Sequence, residues 1–155
     1  MRRFNVFTAE FERDADDPDG YGTGYARFGP AIGASMLGGT VYELPAGQSI
    51  CPYHYEHGDE EWLLVLDGQP TVRHSDGEDE LSRGEVVCFP AGPAGAHKVT
   101  NRTDEVVRVL MVSTKRMPAV AVYPDSDKIG VFTGEKRDDV MVRRESSVDY
   151  WDGEA

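Results

Sequence analysis

The sequence predicts an all-β protein, a double-sheet jelly roll or small barrel, and three observations carry that prediction. Short apolar or alternating runs recur through the middle of the chain. Turn residues punctuate them roughly every 8–12 positions. No amphipathic helical stretch of about ten or more residues stands out.

The elements follow in chain order. Phe4-Asn5-Val6-Phe7 reads as a short strand, and the acidic stretch Asp14 to Gly20 as a charged loop. The Gly-rich region 21–39 allows little regular helix and reads as an arm with one or two edge strands. Eight strands are then expected, at Thr40–Leu44, Cys51–Glu56, Glu61–Leu66, Thr71–His74, Glu80–Leu81, Val86–Phe89, His97–Asn101 and Val106–Ser113. Asp67-Gly68 carries a two-residue hairpin signal. Further punctuation stands at Ser75-Asp76-Gly77, at Arg83-Gly84 and across the Pro/Gly turn from Pro90 to Gly95. After residue 113 the chain reads as strand Ala119–Tyr123, a turn over Pro124–Asp127, strand Ile129–Phe132 and a polar tail. Tyr150 and Trp151, odd in a floppy tail, are expected to pack on the barrel or on a partner.

At 155 residues the chain is long enough for one domain with a real core. The expected organisation is an N-terminal arm over 1–39 packing on the barrel, a barrel core over 40–113 and a C-terminal extension over 114–155. With 28 acidic against 16 basic side chains, the net charge of −12 argues against nucleic acid and anionic membrane as partners. Arg2 and Arg3 have no apolar run behind them, so no export signal is read, and Cys51 and Cys88 are expected as reduced thiols of a cytoplasmic protein. Both faces of Trp62–Leu66 are apolar, as are both faces of Val106–Val112, which points to a homodimer.

Side chains alternate along a strand, so an extended Pro52–His57 segment sends His54 and Glu56 to one face and Tyr53, Tyr55 and His57 to the other. Cys51 has the wrong parity to join His54. Glu61 opens the next apolar run, read as the paired strand, and His97 follows the later Pro/Gly turn. Burying these four titratable groups together without a cation is costly, because like charges repel and burial disfavours each charged form. A divalent ion offsets the carboxylates and uses the neutral imidazole nitrogens. His54, Glu56, Glu61 and His97 are therefore the candidate metal ligands. His57 faces away, and His74 lies near a turn.

These residues resemble both halves of the cupin signature. His54, Glu56, Glu61 and Gly68 match its His-x-His/Glu-x4-Glu-x6-Gly stretch. Gly84, Pro90, Gly92, His97 and Asn101 match the second half. Glu56 stands where most cupins carry a second histidine, and two extra residues lengthen the turn between Gly92 and His97. The resemblance implies a double-stranded β-helix, that is, a jelly-roll barrel with N- and C-terminal extensions, and a mononuclear divalent transition metal: zinc, iron, manganese or nickel. Glu56 either completes a two-His, two-carboxylate set or stands off as a general base beside His54, Glu61 and His97. Asn101 shares strand parity with His97 and is read as bracing a nearby loop or a ligand, with a structural cap as the expected role. The function expected is metal-dependent chemistry on a small oxygenated metabolite of the sugar, hydroxy acid or keto acid class, as an isomerase, decarboxylase or lyase, or dioxygenase. The alternative is a non-catalytic module that binds or senses a small ligand. Metal affinity is expected to fall below about pH 6, where neutral imidazole is lost.

Overall fold

Strands form where apolar and β-branched residues find a pleated surface to cover. A computed structural model describes residues 1–154 and places strands β1 Gly24–Arg27, β2 Leu37–Leu44, β3 Tyr55–Glu56, β4 Glu61–Asp67, β5 Thr71–His74 and β6 Gly77–Glu80. They are followed by β7 Val86–Phe89, β8 His97–Thr100, β9 Val107–Thr114, β10 Ala119–Tyr123, β11 Lys128–Phe132 and β12 Val140–Arg143. One sheet runs β1-β2-β9-β4-β7. The facing layer is built from β6-β5-β8 and β12-β11-β10-β3, whose edges meet at an isolated antiparallel bridge between His54 and His97. All named strand pairs are antiparallel, as a jelly roll requires.

Alternation sorts the side chains into two clusters. Leu44, Leu63, Val65, Val72, Leu81, Phe89, Val99, Val107, Val109 and Met111 fill the space between the layers. On the outer side of the first sheet, Val41, Leu66 and Ala26 pack with Leu64, Leu110 and the arm residues Phe4, Val6, Ala9, Phe11 and Phe28. The two apolar faces of β4 thus find different partners, and only Trp62 among its large apolar residues remains exposed.

Several expectations are corrected. Phe4-Asn5-Val6-Phe7 forms no strand; Val6–Thr8 is a 3-10 turn, with the Asn5 side chain accepting from the Phe7 amide at 3.0 Å. The arm also holds a five-residue helix, α1 Phe28–Ile32, ended by Gly33 in the left-handed region. Asp67-Gly68 does not close a hairpin, because β4 pairs with β7 and β9 whereas β5 pairs with β6 and β8. The chain changes sheets there. Gly68 sits at φ +77°, and an added Cβ would come within 2.8 Å of Val107 Cγ2, so the glycine serves a close crossing. The two-residue hairpin lies instead at Ser75-Asp76, between the paired residues His74 and Gly77. Tyr150 and Trp151 do not pack on the barrel; they are 82% and 70% exposed, touching each other edge to face.

Asn101 is fully buried and ties down the turn before β9. Its Nδ2 donates to Leu44 O at 2.9 Å and Glu105 O at 2.7 Å, while its Oδ1 accepts from the Thr103 amide and hydroxyl. The reading as a cap holds. Replacing Asn101 with alanine strands two carbonyls, and urea denaturation should show a loss of about 2–4 kcal/mol. A loss under about 0.5 kcal/mol would show that water replaces the amide.

Candidate metal centre

His54 and His97 meet through their backbones first. Each amide donates to the other's carbonyl, at 3.1 and 2.8 Å. Residues paired in this way project side chains to one face, and the two rings lie 4.7 Å apart. Both Nδ1 atoms face carbonyl oxygens, His54 that of Pro52 at 3.1 Å and His97 that of Gly95 at 2.9 Å. A carbonyl can only accept, so Nδ1 carries the proton on each ring and Nε2 keeps its lone pair. Gly95 is suited to this turn because an added Cβ would collide with Pro90 O.

From the opposite sheet Glu61, at the start of β4, points its Oε2 at both rings, 3.5 Å from His97 Nε2 and 3.8 Å from His54 Nε2. One donor atom from each of His54, Glu61 and His97 falls within 4.8 Å of the others. Glu61 arrives across the interior rather than from a paired strand, since β3 pairs with β10 and not with β4. Among the described residues, His97 Nε2 is the one buried side-chain nitrogen or oxygen with no hydrogen-bond partner. An unsatisfied buried acceptor of this kind costs free energy that a cation can return. Two imidazole lone pairs and a carboxylate fit a divalent transition metal.

Glu56 lies outside that three-atom cluster but lines the same cavity, of about 230 Å³, with Tyr42, Ile50, Cys51, Val99 and Met111. Cys51 also lies outside that cluster, but its expected strand parity is corrected. Residues 51–53 bend rather than extend, so strand parity does not apply, and its Sγ sits 3.5 Å from His54 Nδ1. Tyr123, from β10, stacks on His54 with centroids 5.9 Å apart, and Phe89 lies flat on His97 at 3.7 Å. His57 is exposed, and His74 bonds Asp79 at 3.1 Å, so neither joins the cluster. Sequence reading missed Asp59, which is buried and accepts from the Thr114 hydroxyl and the Arg116 amide. Its signal was only a polar break at Gly58-Asp59.

Burial dominates the electrostatics. It pushes Glu61 up to about 7, with Asp59 adding repulsion. Burial also takes Glu56 to about 7, helped by Glu61 and Asp59. His97 is pulled down to about 4 by burial and then by His54, while His54 is lowered chiefly by burial. Burial raises the Cys51 thiol and the Tyr42 phenol to about 12 each. At neutral pH both imidazoles are therefore neutral, and the first group to take a proton on acidification is a carboxylate. This moves the expected weakening of metal binding up from imidazole titration near pH 6 to carboxylate titration near pH 7.

Residues 40–113 match the family model described as Cupin domain. No curated protein matches the chain. Among solved structures, a sugar phosphate isomerase of the cupin superfamily from Silicibacter pomeroyi aligns with a TM-score of 0.81 at 25% identity, covering 97% of this chain and 98% of that one. A protein from Acidithiobacillus ferrooxidans, provisionally named a sugar phosphate isomerase, gives 0.82 at 21% identity over 93% and 91%. The polyketide cyclase RemF from Streptomyces resistomycificus gives 0.62 at 23% over 77% and 83%.

The raised Glu61 value has a direct consequence for the metal-free protein. A carboxyl whose folded pKa lies above its unfolded one supports the fold fully below about pH 4.5 and loses that support as pH rises through about 7. In chelator-treated protein, Glu61→Gln should thus be more stable than the native chain at pH 8, by roughly 2 kcal/mol, and gain nothing at pH 4.5. Thermal unfolding at the two pH values checks this; a variant less stable at pH 8 would mean that the carboxylate is held by partners other than a metal.

Proposed function

From the premise that this chain carries a cupin domain over residues 40–113, we propose that it is a metal-dependent enzyme acting on a small hydroxylated carbonyl compound, and that the reaction is an isomerisation. His54, Glu61 and His97 hold one divalent ion. The observation that carries the reading is the pair of Nε2 lone pairs, both fixed by Nδ1–carbonyl bonds, converging on one carboxylate with no other partner for His97. The ion would supply Lewis-acid polarisation of a carbonyl or hydroxyl oxygen.

The chain supplies the rest. Glu56 borders the same cavity and titrates near 7, so at neutral pH it can both take and return a proton. That is the demand of moving a proton between adjacent carbons of a hydroxy-carbonyl substrate. Ile50, Val99 and Met111 make the inner wall apolar, which limits water around the reacting atoms. Tyr42, protonated across the useful pH range, is a fixed hydroxyl for a substrate oxygen. Support for isomerisation comes from the two sugar phosphate isomerase-like structures, which align over more than nine-tenths of the chain.

Protein purified without added metal or chelator should contain about one equivalent of a transition metal, and His97→Ala should lose most of it while keeping its β-sheet circular dichroism. Full occupancy in that variant would remove His97 from the ligand set. Glu56→Gln should keep the ion yet lose at least about a hundredfold in exchange of the substrate's α-proton with solvent, read by deuterium incorporation. If that variant loses the ion as well, Glu56 is a fourth ligand; if it keeps both ion and exchange, Glu56 is not the base. Affinity for the ion should fall as pH drops through about 7, as Glu61 takes up its proton.

A further inference from the structure

The second layer carries a row of side chains that runs past the candidate metal ligands. His74 pairs with His97, which pairs with His54. Tyr123 stands beside His54, Lys128 pairs with Tyr123, and Arg143 pairs with Lys128. Cross-strand partners share a face, so the imidazoles, the phenol and the two cations lie along one line. Two steps separate the metal ligands from the ammonium: 5.9 Å from the His54 ring to the Tyr123 ring, then 5.4 Å from that ring to Lys128 Nζ. This is the reach of a small metabolite.

The groups at the far end of the row are free to bind. Among the described residues, the Tyr123 hydroxyl has no hydrogen-bond partner and Lys128 has no carboxylate within ion-pair distance. Arg143, by contrast, already donates to Ser126 O at 2.8 Å. The cavity wall at the metal ligands holds two carboxylates, Glu56 and Glu61, and no cation. An anionic group on a ligand is repelled from that wall and attracted along the row, on a chain whose net charge is −12.

We propose that Tyr123 and Lys128 form an oxyanion subsite that receives the phosphate or carboxylate end of a small ligand whose hydroxylated end lies at His54, Glu61 and His97. The proposal rests on the reading of those three residues as the ligand-facing centre. Tyr123 donates its hydroxyl to the oxyanion, and Lys128 supplies the charge that selects an anionic ligand over a neutral one.

Calorimetric titration of the native chain with glycerol 3-phosphate, glycerate and glycerol tests the subsite, with metal content measured on the same samples. The native chain should bind at least one of the two anions about tenfold or more tightly than glycerol, and the stronger one names the group selected. Lys128→Ala should lose that preference with metal content and glycerol affinity unchanged, and Lys128→Arg should keep most of it. Equal affinity for anions and glycerol in the native chain overturns the proposal, as does a preference that survives in Lys128→Ala. An anion preference that depends on Lys128 in a chain that holds no metal keeps the subsite and removes the metal reading. Normal metal content with no such preference does the reverse.

Discussion

The reciprocal pair of backbone hydrogen bonds between His54 and His97 holds the second layer together. On one side of it lies β6-β5-β8 and on the other β3-β10-β11-β12, and the segment leading to His54 adds a Ser49–Thr100 bridge and a bond from the Ile50 amide to Val99 O along β8. The reciprocal pair also fixes the spacing of the imidazoles. A change that lets the layer open therefore also separates the rings, so the site cannot be retuned independently of the barrel. The tautomers depend on neighbouring carbonyls, those of Pro52 and Gly95, which belong to turns held by the same crossing. The Gly92 amide donates to Glu56 O at 2.7 Å and anchors the longer turn to β3.

Much of the barrel was legible because two-residue periodicity is a local property. Thr71–His74, Val86–Phe89 and Ala119–Tyr123 appear with the boundaries that their residues suggest, since each is a short β-branched or aromatic run closed by turn residues. What failed depends on long-range partners. Asp67-Gly68 has hairpin chemistry, but Gly68 is needed for its approach to Val107, far along the sequence. The Cys51–Glu56 run has strand composition, yet its first half bends between the Ser49–Thr100 and His54–His97 bridges to β8. The convergence of His54, Glu61 and His97 was readable from motif spacing. The places of Cys51, Asp59 and Tyr123 were not: Cys51 reaches the cavity through a bend, Asp59 is held by side-chain bonds to the Thr114–Arg116 segment, and Tyr123 comes against His54 from a strand far along the chain.

Burial decides the electrostatics of the centre against the attraction of opposite charges. Glu61 and His97 are oppositely charged when ionised and lie 3.5 Å apart, yet burial raises one value and lowers the other, so the loss of hydration outweighs their mutual attraction. Phe89, stacked on one face of His97, removes water that would otherwise solvate an imidazolium. Burial disfavours the charged form of both imidazoles, so on the proposed ligand set their nitrogens would be available without first releasing a proton. The carboxylate is then the group through which pH acts.

Glu56 in place of a histidine changes what the cavity can recognise. On the proposed ligand set, a divalent ion beside two ionised carboxylates leaves the centre with no net charge, whereas a histidine at position 56 would leave it positive. A positive centre draws the anionic end of a substrate onto itself and competes with productive placement of the carbonyl. A neutral one exerts no such pull, so selection for an anion has to come from outside the ligand set. The continuation of the row through Tyr123 to Lys128 offers that selection at a distance set by two strand spacings. On the proposed reading, a glutamate at position 56 thereby separates the place where chemistry would occur from the place where charge would be read.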